Sequence, residues 1–400
     1  MGRQVDELGG RFKNFWRRVT DGLALQQLWG QFKTEARNSY GLYAKEVDWE
    51  SLPGESRWKR CWRITRAFFW AMAMKLSPAR RVLLVVALTL LILGIFDFEV
   101  TAGNGRYVVN LGGGHGTLAG LALLVLLALE LADRVIMKRD LEIAREIQQW
   151  LVPEVPPAIP GVDIAFASRA ANTVAGDYYD AFLRPSSTAA QGPPTGANAG
   201  QATETGADSR RLMLAVADVA GKSVPAALLM ATFQASLRTL ALEPGSLLDL
   251  VSGLNAYACQ HSLQGRRFTT AFLAELDLAT RTLAYVNAGH NQPMLLKAAG
   301  RIERLSQGGI PLGIVAAARY ECGTATLEPG DRLVIFTDGV VEAENEAGDQ
   351  FGETRLLASL QSEGGKRAGA ALEALMSSID AFVANAPQHD DITSMILDGR

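Results

Sequence analysis

Leu212-Met213-Leu214-Ala215-Val216-Ala217-Asp218-Val219-Ala220-Gly221 is an apolar run that ends on an aspartate, with a glycine shortly after. A short apolar run bounded by turn residues reads as a buried strand. A glycine near the tip lets the backbone, or a water held by a metal, come close. The same pattern recurs three times. Asp177 lies in Ala175-Gly176-Asp177-Tyr178-Tyr179-Asp180, Asp338 ends Leu333–Asp338 before Gly339, and Asp390-Asp391 opens the run Ile392–Leu397.

Working outward, short apolar segments alternate with Gly and Asp from about residue 161. Val162–Ala167, Leu212–Ala217, Thr270–Leu276, Thr282–Val286, Pro293–Leu296, Arg332–Phe336 and Thr393–Leu397 read as strands. Helical patterns occupy Pro225–Leu242, Ser246–Cys259, Glu353–Leu360 and Ala368–Val383. Strands in hairpins with helices in blocks indicate an α+β fold, not a βαβ series. Residues 185–209 hold almost no large apolar side chains and read as a disordered insertion between two paired strands.

Carboxylates gathered at strand tips repel one another and need cations. Oxygen ligands without Cys or His favour Mg²⁺ or Mn²⁺. Two such ions about 4 Å apart can activate a shared water and clamp a phosphate. Singly, each Asp-Gly is an ordinary turn, and spacing alone does not carry a metal site. The three cysteines (Cys61, Cys259, Cys322) form no CxxC pattern, which argues against a zinc site or disulfide framework. Gly221-Lys222-Ser223 ends like a phosphate-binding loop, but Val216 stands where its first glycine must be. Asp180 reads as a turn or supporting residue.

The motifs are more specific in series. Glu146-Ile147-Gln148 and Leu151-Val152-Pro153 come first, followed by the Asp177 and Asp218 motifs. Val224-Pro225-Ala226-Ala227, Phe268-Thr269-Thr270-Ala271, Asn287-Ala288-Gly289-His290-Asn291-Gln292-Pro293 and Gly309-Ile310-Pro311-Leu312-Gly313 come next. Phe336-Thr337-Asp338-Gly339-Val340-Val341-Glu342-Ala343 and Asp390-Asp391-Ile392-Thr393 end it. In this order, residues 142–398 resemble the SpoIIE-type bacterial branch of the PPM family of metal-dependent serine/threonine phosphatases. The resemblance does not reach residues 1–130. It implies a four-layer α/β/β/α sandwich with two metal ions, Mn²⁺ or Mg²⁺, at one end. It also implies Asp218 as the bridging ligand, joined by the Val219 carbonyl, with Asp177, Asp338 and Asp390 completing the sites. Asp391 is the less favoured ligand of its pair. Ala175 and Ser223 replace glycines of the family pattern without removing a ligand. The branch lacks the phosphate-binding arginine of eukaryotic relatives, and the proton donor is left open. His290 is one candidate, with a turn-capping role as its alternative.

The first 160 residues carry different signals. Residues 1–81 hold 16 Lys and Arg against 8 Asp and Glu, a net of +8, while the remainder has a net of −11. A basic, aromatic-rich segment fits an anionic membrane surface, and the acidic remainder disfavours nucleic acid. The apolar runs Val82–Phe96 and Thr117–Leu129 are each short of the ~20 residues of a full span. With their flanks they suggest a transmembrane hairpin over 82–132. The basic residues on either side place both termini and the catalytic domain in the cytoplasm, at the inner membrane. Residues 133–160 form a linker. Its helix, 130–152, spaces Ile136, Ile143, Ile147 and Trp150 like a coiled-coil seam, which suggests a homodimer.

The expectation is a phosphoserine/phosphothreonine phosphatase, with a STAS-type anti-anti-sigma protein implied by the resemblance as substrate. The rivals are a non-catalytic membrane scaffold that binds a partner through a phosphatase-like domain, and a small-molecule or nucleotide phosphohydrolase.

Overall fold

A computed structural model describes residues 73–95, 98–102, 105–109, 112–185, 210–221, 223–243, 245–261, 267–361 and 367–400, with a few positions between 58 and 70. The basic N-terminal region lies almost wholly outside them, as does the expected insertion from 186 to 209. The chain divides into two compact units, residues 1–135 and 136–400.

In the first unit, α1 (Pro78–Ile95) is followed by a β1–β2 hairpin (Phe98–Ala102 and Gly105–Val109) and the start of α2 (Gly112–Leu151). Leu84, Ala87 and Ala119 are buried, and Arg80 bonds Glu130 at 3.3 Å and Asp133 at 2.6 Å. Other apolar side chains, among them Val85, Ile92, Leu121 and Leu124, are exposed. The transmembrane hairpin read over 82–132 is corrected here. Among the described residues, no helix is long and apolar enough to cross a membrane. The flanks needed to lengthen the apolar runs do not supply apolar helix. Beyond Ile95 the next described residues, Phe98–Ala102 and Gly105–Val109, are strand. Val82–Ile95 then gives only about 21 Å of helix against a hydrocarbon core of about 30 Å. The apolar stretch of α2 stops at Glu130, and the helix continues with charged faces to Leu151.

In the second unit the end of α2 leads into two sheets. The first has the order β10-β7-β6-β5-β4, with β11 on β7; the second has the order β3-β13-β12-β8-β9. Their strands are β3 (Val162–Arg169), β4 (Tyr178–Pro185), β5 (Arg210–Val219), β6 (Thr269–Asp277), β7 (Thr282–Ala288), β8 (Met294–Leu296), β9 (Ile302–Arg304), β10 (Gly308–Gly309), β11 (Gly323–Thr326), β12 (Arg332–Phe336) and β13 (Ile392–Gly399). Helices α3 (Val224–Leu240) and α4 (Leu247–His261) pack Met230, Phe233, Leu250 and Leu254 on the first sheet. A short turn α5 (Asp338–Val341) precedes α6 (Gly352–Gln361) and α7 (Ala368–Val383), which pack Leu356, Leu372 and Ile379 on the second. Between the sheets lies a core of Leu212, Leu214, Phe272, Leu333 and Leu397. This is the expected α/β/β/α order. β5 is buried on both faces, so its stretch Leu212–Ala217 is continuously apolar without alternating.

The strand read over Arg332–Phe336 coincides with β12, and Asp338, read as sitting at its tip, lies two residues beyond it. Thr337 N donates to the Thr393 carbonyl, and Glu342 N donates to the Asp338 carbonyl, which closes a helical turn. Asp338 therefore opens a helix.

Candidate active site

Four chain segments meet at one end of the sandwich: the loop into β4, the end of β5, the β12–α5 junction and the entry to β13. Asp177 sits in the first, one residue before β4, and is buried. A side chain at Gly176 would place its first carbon 3.2 Å from the Val219 carbonyl oxygen and 3.7 Å from an Asp391 carboxylate oxygen. Glycine thus lets the Asp177 loop lie on the tip of β5. Asp391 closes the loop from the other sheet, accepting from Ala171 N at 2.7 Å and Gly176 N at 2.5 Å. Its carboxylate serves the backbone. Gly339 has a similar steric reason, because a carbon added there would fall 2.0 Å from the Asp391 carbonyl oxygen.

The electrostatics identify two interacting groups. Burial pushes the Asp177 carboxyl well above its ordinary range, and the charges of Asp218 and Asp391 push it further; hydrogen bonds from Thr393 and Thr337 oppose this. Thr337 Oγ1 donates to Asp177 Oδ2 at 2.9 Å. Burial also raises the Glu342 carboxyl, followed by Asp338, Asp390 and Glu344.

The structure thus brings Asp177 close to Asp218, with the Val219 carbonyl alongside Gly176, and groups Asp338 with Asp390. Among the described residues, no cluster of three or more His, Cys, Asp or Glu side chains converges tightly enough to cage a metal ion. The donor set nevertheless fits hard divalent cations: it is all oxygen, partly desolvated and mutually repelling.

His290 is buried. Its Nδ1 lies 3.3 Å from Thr270 Oγ1, and its backbone N donates to Asn287 Oδ1 at 2.8 Å. Burial pushes its pKa down to about 4, so the ring is neutral near pH 7. That state suits the turn-supporting alternative.

Sequence reasoning missed Glu342 and Thr337, although both lie inside the quoted Asp338 motif. It also missed what Gln148 does. Gln148 Nε2 donates to the Ala175 carbonyl at 2.7 Å, and Ala175 N donates to Gln148 Oε1 at 2.9 Å. The last turn of α2 therefore grips the loop two residues before Asp177. Asp180, read as a turn or supporting residue, is fully buried. It accepts from Tyr178 Oη at 2.5 Å and from Arg238 Nε and an Arg238 terminal nitrogen at 2.7 and 2.8 Å.

A four-layer sandwich with carboxylates at one end defines a PP2C-type α+β domain. The PP2C domain of SiaA from Pseudomonas aeruginosa is similar in fold, with a TM-score of 0.54 and 20% identity over 67% of this chain and 99% of that one. Residues 208–400 match the family described as Stage II sporulation protein E (SpoIIE). The chain is similar to that family over just under half of its length. It is similar to Protein IcfG of Synechocystis sp., 25% identical over 76% of this chain, and to the phosphoserine phosphatase RsbU of Bacillus subtilis, 27% identical over 65%. The chain spans 48% of IcfG and 70% of RsbU.

Proposed function

We propose that this chain is a metal-dependent protein serine/threonine phosphatase that removes phosphate from phosphoserine or phosphothreonine on a regulatory protein. The observation that carries the reading is the approach of Asp177 to Asp218, and of Asp338 and Asp390 to Glu342, at one end of the sandwich. Asp177, Asp218 with the Val219 carbonyl, Asp338 and Asp390 would hold two ions, Mn²⁺ or Mg²⁺. Bound there, the pair supplies positive charge for the phosphoryl group and acidifies water. The chain's own residues do the positioning. Thr337 and Thr393 favour the ionised form of Asp177, and Asp391 fixes the loop that carries it. Gly176 and Gly339 allow the backbones to close up.

The similarity to RsbU, named a phosphoserine phosphatase, supports a phosphoprotein substrate. A STAS-type protein is the substrate class we infer from the SpoIIE-type branch. The exposed seam of Ile136, Ile143, Ile147 and Trp150 supports pairing of two copies through α2.

The test is release of phosphate from a phosphorylated STAS protein by the full chain, with and without Mn²⁺, beside Asp218→Asn and Asp338→Asn. Wild type should turn over only with metal, and each folded variant should lose nearly all of its rate, since the metal pair contributes several kcal/mol to lowering the barrier. A folded wild type that binds the phosphoprotein but releases no phosphate would favour the scaffold reading.

A further inference from the structure

Beside the carboxylates is a cavity of about 580 Å³ lined by Arg169, Gly339, Glu342, Glu344, Asp380 and Asp390 among others. Four of these side chains are carboxylates, and Arg169 supplies the one guanidinium among the described lining residues. A phosphorylated side chain carries about two negative charges, so such a wall repels it unless a cation faces it. We propose that Arg169 is the phosphate-binding residue of this site, exchanging its contact with Asp380 for the phosphoryl oxygens of the substrate. This deepens the phosphatase reading and rests on it.

Three observations support the assignment. First, the backbone holds Arg169 at the site. It is the last residue of β3 and lies opposite Ile392 of β13, two residues from Asp390. Gln388 Nε2 donates to both the Arg169 carbonyl at 2.9 Å and the Asp390 carbonyl at 2.7 Å, so the two backbones form one ledge. Second, the guanidinium is only partly used. One terminal nitrogen donates to Asp380 Oδ1, while Nε is shielded from solvent and has no hydrogen-bond partner. Third, the present partner is replaceable. The Asp380 side chain is 58% exposed, and ion pairs of that kind contribute little. A phosphate offers a guanidinium two parallel charge-assisted bonds, which are shorter and about twice as strong as neutral ones. Asp380 then acts as a competitor that keeps the arginine oriented until substrate enters.

The experiment uses the full chain with Mn²⁺, and inorganic phosphate as the probe. Phosphate affinity is measured by titration calorimetry, together with kcat and KM on the phosphoprotein, for wild type, Arg169→Ala, Arg169→Lys and Asp380→Asn. Arg169→Ala should weaken phosphate binding and raise KM about tenfold, a change of about 1.4 kcal/mol. Arg169→Lys should recover part of the loss, because it restores charge but not the fork. Asp380→Asn should tighten phosphate binding, and much less so when combined with Arg169→Ala, which separates release of the arginine from simple loss of wall charge. Unchanged phosphate affinity in folded Arg169→Lys, or weaker binding in Asp380→Asn, overturns the proposal. A wild type that releases no phosphate from the phosphoprotein defeats the underlying reading instead, and calorimetry with inorganic phosphate still reports on Arg169.

Discussion

Replacing Gln148 by alanine cuts a side-chain grip that α2 has on the Asp177 loop. The two bonds, 2.7 and 2.9 Å, pair a side-chain amide with both backbone groups of Ala175. Each such bond has a net worth of about 0.5–1.5 kcal/mol, so the pair holds the loop by about 2 kcal/mol. Gln148 is itself buried, and its removal also leaves the Ala175 groups to find water. Asp177 follows Ala175 by two residues and already carries the strain of burial beside Asp218 and Asp391. A loop loosened by about 2 kcal/mol should occupy its closed geometry about thirtyfold less relative to open alternatives. The expected result for Gln148→Ala is an apparent Mn²⁺ affinity lowered about tenfold or more, and a rate at limiting metal lowered in parallel. Gln148→Glu, which keeps the acceptor but loses the donor, should fall between. Metal-dependent phosphate release and thermal melting are measured on the same preparations. A variant that melts earlier but keeps wild-type metal dependence would refute the reasoning and leave α2 a passive brace.

Three further outcomes are expected. Asp180→Asn removes the buried charge that accepts both nitrogens of a half-exposed Arg238, and should lower stability by about 1.5–3 kcal/mol in denaturant unfolding; a loss under 1 kcal/mol would show the pair to be dispensable. Ser223, at the entry to α3, has φ 63° and ψ −150°, a region open essentially to glycine alone. Ser223→Gly should therefore raise stability by about 1 kcal/mol, read as a higher melting temperature with an unchanged fold. His290 has a folded pKa near 4 against an ordinary value of 6.5, so the folded state binds fewer protons than the unfolded one. Its contribution is fully present above pH 6.5 and is lost as pH falls toward 4, about 3 kcal/mol in all. The difference in stability between wild type and His290→Gln, which cancels the opposite trend of Asp177, should shrink over that range, and a pH-independent difference would show that His290 is not held neutral.

Local sequence determined the elements whose signal is local. β5 and β12 were legible because strands buried on both faces are continuously apolar, and α3 and α7 because their apolar residues repeat at helical intervals. The motifs in their order pointed to the family, and the aspartates to oxygen ligands. The short strands β9, β10 and β11 have too few residues to show a period. The extent of apolar helix around residues 82–132 differs from the reading, since Phe98–Ala102 pairs with Gly105–Val109, a choice made by contacts between strands. Roles that depend on partners distant in sequence were beyond reach. Asp391 differs from Asp390 only in having Ala171 and Gly176 in front of it, Gln148 is one more polar residue of a helix until Ala175 meets it, and Arg169 gains its meaning from a cavity shared with Asp390. Chain order lists these side chains hundreds or tens of positions apart, and only the stacking of two sheets brings them to one end.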